Sequence, residues 1–211
     1  MHTTSVLTSA RSTSQVVGVR AISTVFMWIG LFTVSWDRFA NFPIGDYNVK
    51  LPTIAFSISL VLTLLDMIRT RTRLASTDPL LVLAFVVTGL YWSMGLFAED
   101  RGAAMGQSVT VVVGAVVPFL CVYANIRIFG KVDEALTAFI RGGWVASVFG
   151  IYQLVAFYTG LPQVVDYEAM GGGLGRISSF SYESAYFGYF LILVLACVYA
   201  RSVYRGVRAR R

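Results

Sequence analysis

The sequence predicts an all-α, polytopic membrane helix bundle with about six transmembrane helices. Two features of the composition lead there. Hydrophobic residues make up 56% of the chain and charged residues only 13%, where a soluble domain carries about 25% charged residues. The mean hydropathy is +0.70. The arrangement adds a third argument. The apolar residues come in blocks of roughly 16–24 positions almost free of charge, long enough to cross a ~30 Å hydrocarbon layer at 1.5 Å per helical residue.

In order, the first span is expected over Ala21–Trp36, with Arg20 snorkelling at its inner end. The second is Leu51–Ile68. The third is Pro79–Phe97, with Asp78 as N-cap and Pro79 at the first helical position. The fourth is Gln107–Asn125, with Pro118 as a kink. The fifth is Leu136–Tyr158 and the sixth Ala185–Ala200. This organises the chain into an N-terminal cytoplasmic tail, 1–20, one transmembrane helical domain, 21–200, and a basic cytoplasmic tail, 201–211. The apolar stretch near the N-terminus is followed by "SWDRF" rather than by a small-residue cleavage site, so it reads as a retained span.

The basic residues supply the orientation. Of the 17 Lys and Arg, all but Arg38, Lys50, Arg101 and Arg176 fall on one side of this six-span arrangement. The positive-inside rule places that side, and both termini, in the cytoplasm. The net charge of +6 is then a topology signal, and nucleic acid is not an expected partner.

The polar residues inside spans invite bland readings. Asp66 and Arg69 read as a local charge pair at an inner span end. Gln107, Asn125 and Gln153 read as interhelical hydrogen-bonding groups. Gly142–Gly143 before Trp144, and the Gly102/Gly106 spacing, read as points of close packing. Cys121 and Cys197 lie inside apolar blocks and read as small packing residues. His2 is the only histidine, which disfavours histidine-based or metal chemistry.

Three segments face outward: 37–50, 98–106 and 159–184. The sequence contains no Walker loop, no H-E-x-x-H and no G-x-S-x-G, and "GGGLGR" follows no strand, so a dinucleotide site is not indicated. What remains is a set of outer charges. Arg176, flanked by glycines, carries a planar fork of donors suited to phosphate; it also suits a lipid headgroup or Asp166 and Glu168. Glu183 stands at the start of the sixth span. There a negative charge stabilises the helix by ~0.3–1 kcal/mol, with Ser181 as N-cap, and a carboxylate there could equally serve as a general base. Tyr182, Tyr186 and Tyr189, with Phe187 and Phe190, read first as an interfacial aromatic belt and second as a stacking surface for sugar rings. Asp37 and Arg38 close the outer end of the first span.

Three stretches carry a resemblance. They are "SWDRFANFPIGDYNVKLPTIAFSISLVLTLL", "FGIYQLVAFYTGLP" at 149–162, and "GRISSFSYESAYFGYFLILVLA", the last supplying Arg176, Ser179, Phe180, Glu183, Ser184, Tyr186, Phe187 and Gly188. In this order they resemble the N-terminal half of the O-antigen ligase and polymerase superfamily. The resemblance implies a GT-C-like membrane glycosyltransferase, independent of metal and other cofactors. Such an enzyme moves a polyprenyl-pyrophosphate-linked glycan to an acceptor at the outer face of the bacterial inner membrane. It assigns Arg176 and Arg38 to the donor phosphates, Tyr182 and Tyr186 to the substrate, and Glu183 to acid–base catalysis. Family members carry a second half with a large outer loop, bearing another arginine and, in ligases, a histidine. A second membrane subunit is therefore an expected partner beside membrane lipids. The alternative is a non-enzymatic subunit of a glycan-assembly complex. A small transporter is weaker, because no pair of broken spans carries charges at mid-membrane.

Overall fold

The computed structural model describes residues 4–36, 41–44, 47–74, 78–98, 100–162, 179 and 184–209. The chain is mostly helical. Its elements are α1 (Thr4–Phe32), β1 (Asn41–Ile44), β2 (Tyr47–Lys50), α2 (Leu51–Thr70), α3 (Pro79–Leu96), α4 (Arg101–Val111), α5 (Val117–Phe129), α6 (Val132–Thr159) and α7 (Ser184–Ala209). A π-helical turn, Val112–Val116, joins α4 to α5 without a break. Among the described residues, four helical stretches are long and apolar enough to cross a membrane: Leu51–Thr70, Ala104–Phe129, Val132–Thr159 and Ala185–Gly206. They mark the chain as membrane-embedded. Gly18–Phe32 and Pro79–Ser93 are shorter apolar stretches.

Local chemistry explains the boundaries. The Asp78 carboxylate accepts the Leu80 amide at 3.0 Å, and Pro79 follows at the start of α3, the N-terminal arrangement the sequence predicts. Pro118 has no amide hydrogen, and its ring crowds the carbonyl four residues back, that of Gly114. The widened turn Val112–Val116 lies where that crowding falls, so the expected kink takes the form of a π-bulge. Gly130, at φ 66, closes α5 by donating to Ile126 O at 3.0 Å.

Two differences from the sequence reading stand out. The fold is not purely helical: β1 and β2 pair antiparallel, Asn41 opposite Lys50 and Ile44 opposite Tyr47. Both expected tails also contribute helix, since α1 begins at Thr4 and α7 continues to Ala209.

The chain divides into two compact units. The first combines Met1–Met27 with Thr53–Lys131, the second Trp28–Pro52 with Val132–Arg211. In lipid, apolar side chains gain little by meeting one another, so helices associate through close approach and polar contacts. The second unit uses close approach. A Cβ on Gly142 would collide with the backbone carbonyl of Phe32, and one on Gly143 would stand 2.5 Å from Val194 Cγ2. Around these glycines Ala146, Phe187, Phe190 and Val194 form a buried cluster. Phe139 meets Phe190 edge-on, with ring centres 5.3 Å apart. Phe187 and Phe190 are therefore core residues and not part of an aromatic belt. Among the described residues, Gly106 has nothing within 4 Å of its Cβ position, and the neighbour so placed for Gly102 is the nearby Asp100 side chain at 3.5 Å. Among the described residues the close packing expected at Gly102/Gly106 is absent.

The first unit uses polar contacts. Ser23 of α1, Ser59 and Thr63 of α2, and Asn125 of α5 are fully buried together. Ser23 Oγ lies 2.7 Å from Thr63 Oγ1 and 3.0 Å from Ser59 Oγ. Asn125 Nδ2 donates to both Ser59 Oγ and Thr63 Oγ1 at 3.3 Å, and to Cys121 O at 2.9 Å. Asn125 thus acts as the sequence predicts. Cys121 is a buried free thiol beside it, and Cys197 is also free.

Candidate functional site

In the second unit, the C-terminal end of α6 leads into unusual backbone. At the end of α6 the chain reverses at Gly160, whose φ of 70 favours a residue without a side chain. The reversal brings Pro162 O to the Tyr152 hydroxyl, which donates to it at 2.6 Å. The next described residue, Ser179, lies against the same helix. Its amide donates to Gln153 Oε1 at 2.6 Å, and Gln153 Nε2 returns a bond to Ser179 O at 3.4 Å. The Ser179 hydroxyl donates to Ala146 O at 2.6 Å. Ser179 is fully buried and Gln153 nearly so.

Position along α6 gives this clamp its meaning. Ala146 and Gln153 stand 13 and six residues before Thr159. At 1.5 Å per residue, Ser179 is held roughly 10–20 Å inward from the end of an apolar, membrane-length helix. Non-helical backbone at such depth is tolerated only where protein satisfies its polar groups. Gln153 satisfies both backbone groups of Ser179, as a neighbouring strand would. Ser179 also holds φ 50, the left-handed region that costs an L-residue about 1 kcal/mol. Its three hydrogen bonds keep it there. The expectation that Gln153 bonds to another helix is corrected: its partner is a residue outside any helix.

Of the sequence-predicted site residues, Tyr186 lies in the first turn of α7 and is well exposed. Arg38, Arg176, Tyr182 and Glu183 lie outside the described residues, as does Ser181. The side chain of Gln107 is likewise outside them. The structure does bring together Gln153 and Ser179, one from each of two stretches quoted above for the resemblance.

A second polar feature, in the first unit, was missed. The Asp66 carboxylate is 1% exposed and accepts Arg20 Nε at 3.0 Å, while Arg20 stays 40% exposed. The Arg20 guanidinium also lies over the Phe129 ring, 5.3 Å from its centre. Asp66 therefore pairs with Arg20, 46 residues away, and not with Arg69, and Arg20 does more than snorkel. Asp66 Oδ1 is buried with no hydrogen-bond partner among the described residues. The signal lay in periodicity: Ser59, Thr63 and Asp66 share one face of α2, and Arg20 and Ser23 one face of α1. A stripe of that kind on two apolar helices predicts that they face each other.

On the opposite sequence flank, Asp133 at the start of α6 accepts Arg201 Nε at 3.0 Å and Arg205 Nε at 3.1 Å from α7. The last turns of α7 are thereby fixed to the first turn of α6.

Comparison with family models, with curated proteins and with solved structures returns no match to this chain.

Proposed function

We propose that the chain works in glycan transfer at the outer face of the bacterial inner membrane, as a GT-C-like unit of the O-antigen ligase/polymerase kind. In this reading six helices cross the membrane, with both termini cytoplasmic in accord with the positive-inside rule. Arg176 and Arg38 hold the pyrophosphate of a polyprenyl-linked donor. Glu183 takes the proton of the acceptor hydroxyl as its oxygen bonds to the anomeric carbon, and the lipid pyrophosphate leaves. Tyr182 and Tyr186 supply aromatic surface to the sugars.

The observation that supports this reading is the Gln153–Ser179 clamp. It ties the end of the longest outer segment into the helices, three residues after Arg176 and four before Glu183 in the sequence. A pendant interfacial loop has no need of such a tie, whereas a site that must hold charged groups against lipid does.

The test is Arg176→Ala in cells whose only copy is the variant. The expected result is loss of the surface-glycan ladder on a gel while the protein still accumulates in the membrane. An unchanged ladder would remove Arg176 from catalysis. The alternative, a non-enzymatic subunit, draws on the exposed stripe Trp144, Val148, Ile151, Val155 and Tyr158 along α6. It requires co-purification with a second membrane protein and tolerance of Arg176→Ala.

A further inference from the structure

The C-terminal end of α2 carries "RTRTR", residues 69–73, and its geometry goes beyond a topology signal. The helix ends with Arg71 at φ 51. The Arg71 amide donates to Ile68 O at 3.4 Å and the Thr72 amide to Met67 O at 3.1 Å. This is the closing turn in which glycine is the usual left-handed residue, and an arginine there costs about 1 kcal/mol of backbone strain. The strained position serves a surface feature. An open groove is lined by Leu64, Met67 and Ile68 on one wall and by Arg71, Thr72 and Arg73 at its rim.

The groove has two chemistries. Its wall continues an exposed apolar face of α2, with Ile68 74% and Leu64 44% exposed. Its rim is cationic: among the described residues neither Arg71 nor Arg73, nor Arg69 beside them, takes part in an ion pair. The Thr70 hydroxyl donates to Asp66 O, so in its 2.7 Å contact with Thr72 the Thr72 hydroxyl is the donor, and the guanidiniums are the donors the rim offers a ligand. Among the described residues no carboxylate lines the groove, so there the cationic half of a zwitterionic headgroup finds nothing to pair with. Two guanidiniums at the end of a membrane-length helix match a phosphodiester, and the apolar wall below matches an acyl chain.

We propose that this groove binds the phosphate headgroup of an anionic phospholipid, held by Arg71 and Arg73, with one acyl chain along Leu64 and Ile68. The site requires only that α2 spans the membrane. It is independent of any glycan chemistry at the other face.

The experiment uses the full chain in nanodiscs of equal phosphatidylcholine and phosphatidylglycerol, followed by native mass spectrometry of the lipid that remains bound. The wild-type chain is expected to retain phosphatidylglycerol in preference to phosphatidylcholine. The double variant Arg71→Gly/Arg73→Gln should lower that retention by roughly thirtyfold, about fivefold for each charge removed at an anionic surface. Glycine at position 71 relieves the left-handed strain, so the variant should melt no lower than the wild type and a folding defect would be visible separately. Arg141→Gln, an exposed arginine of α6, should leave retention unchanged. Three results would overturn the proposal: equal retention by the double variant, an equal loss in Arg141→Gln, or displacement of the lipid by inorganic phosphate alone.

Discussion

Gln153 and Ser179 pair through both backbone groups of the serine, amide to Oε1 at 2.6 Å and Nε2 to carbonyl at 3.4 Å. One side chain thus does the work of a neighbouring strand for a residue in no regular element. Gln153→Leu keeps the volume and removes both partners. It leaves a buried amide and carbonyl unsatisfied, each worth about 1–3 kcal/mol. The expected result is a lower melting temperature in detergent and faster proteolysis between residues 160 and 184. Gln153→Glu should be milder, because as the neutral acid it still accepts the Ser179 amide and donates its O–H to the Ser179 carbonyl. Equal effects of the two variants would show that the amide contact is not what holds the segment.

The Arg20–Asp66 pair makes an asymmetric prediction. Removing Arg20 strands a carboxylate that is 1% exposed, whereas removing Asp66 frees an arginine already 40% exposed. Arg20→Met should therefore destabilise more than Asp66→Leu. The expected loss for Arg20→Met is about 3 kcal/mol, the low end for stranding a buried charge, since the exposed partner is partly screened by solvent. The double variant should recover most of it. Thermal unfolding of the four proteins in one detergent measures this cycle, and a double variant no better than Arg20→Met would contradict it.

The two packing glycines differ in what a methyl group would strike. At Gly142 it meets the Phe32 backbone, which cannot turn aside, and at Gly143 it meets the Val194 side chain. Each substitution to alanine should cost roughly 1–3 kcal/mol by overpacking. Val194→Ala should rescue Gly143→Ala and do nothing for Gly142→Ala. Gly106→Ala, with open space around it, should melt with the wild type.

How much of this was legible beforehand depended on the range of the interaction. The six predicted spans each correspond to a helical stretch, because the signals that set them are local: apolar length, the Asp78–Pro79 start, the proline at 118. Asn125 was readable as an interhelical group because polar side chains in lipid must find partners. The choice of partner was not readable. Asp66 has Arg69 three residues away on its own helix, yet it pairs with Arg20 because Ser23, Ser59 and Thr63 bring α1 and α2 face to face. Gln153 looked like an interhelical residue for the same reason, and nothing local to it announces Ser179. The glycines show the same limit: Gly142–Gly143 and Gly102/Gly106 look alike as spacing, and only the neighbours distinguish them. Arg38, Arg176, Tyr182 and Glu183 remain assignments from the resemblance.

The cap of α3 makes the last prediction, a dependence on pH. The Asp78 carboxyl is held below its ordinary value of 3.8, first by a hydrogen bond from the Tyr123 hydroxyl, then by the Leu80 amide and by Arg127. Arg127 Nη2 donates to Asp78 Oδ2 at 2.6 Å. A lowered carboxylate value means that folding favours the charged form, so its contribution is complete above the unfolded value and is lost as pH falls through the folded one. Asp78→Asn keeps an N-capping side chain but discards the charge. The stability difference between wild type and Asp78→Asn should therefore stay constant from pH 8 down to about pH 5 and shrink toward zero below about pH 4. Melting temperatures of the two proteins at pH 7 and pH 3 check it. A difference that persists unchanged at pH 3 would mean that the carboxylate charge contributes nothing to the tie between Asp78 and α5.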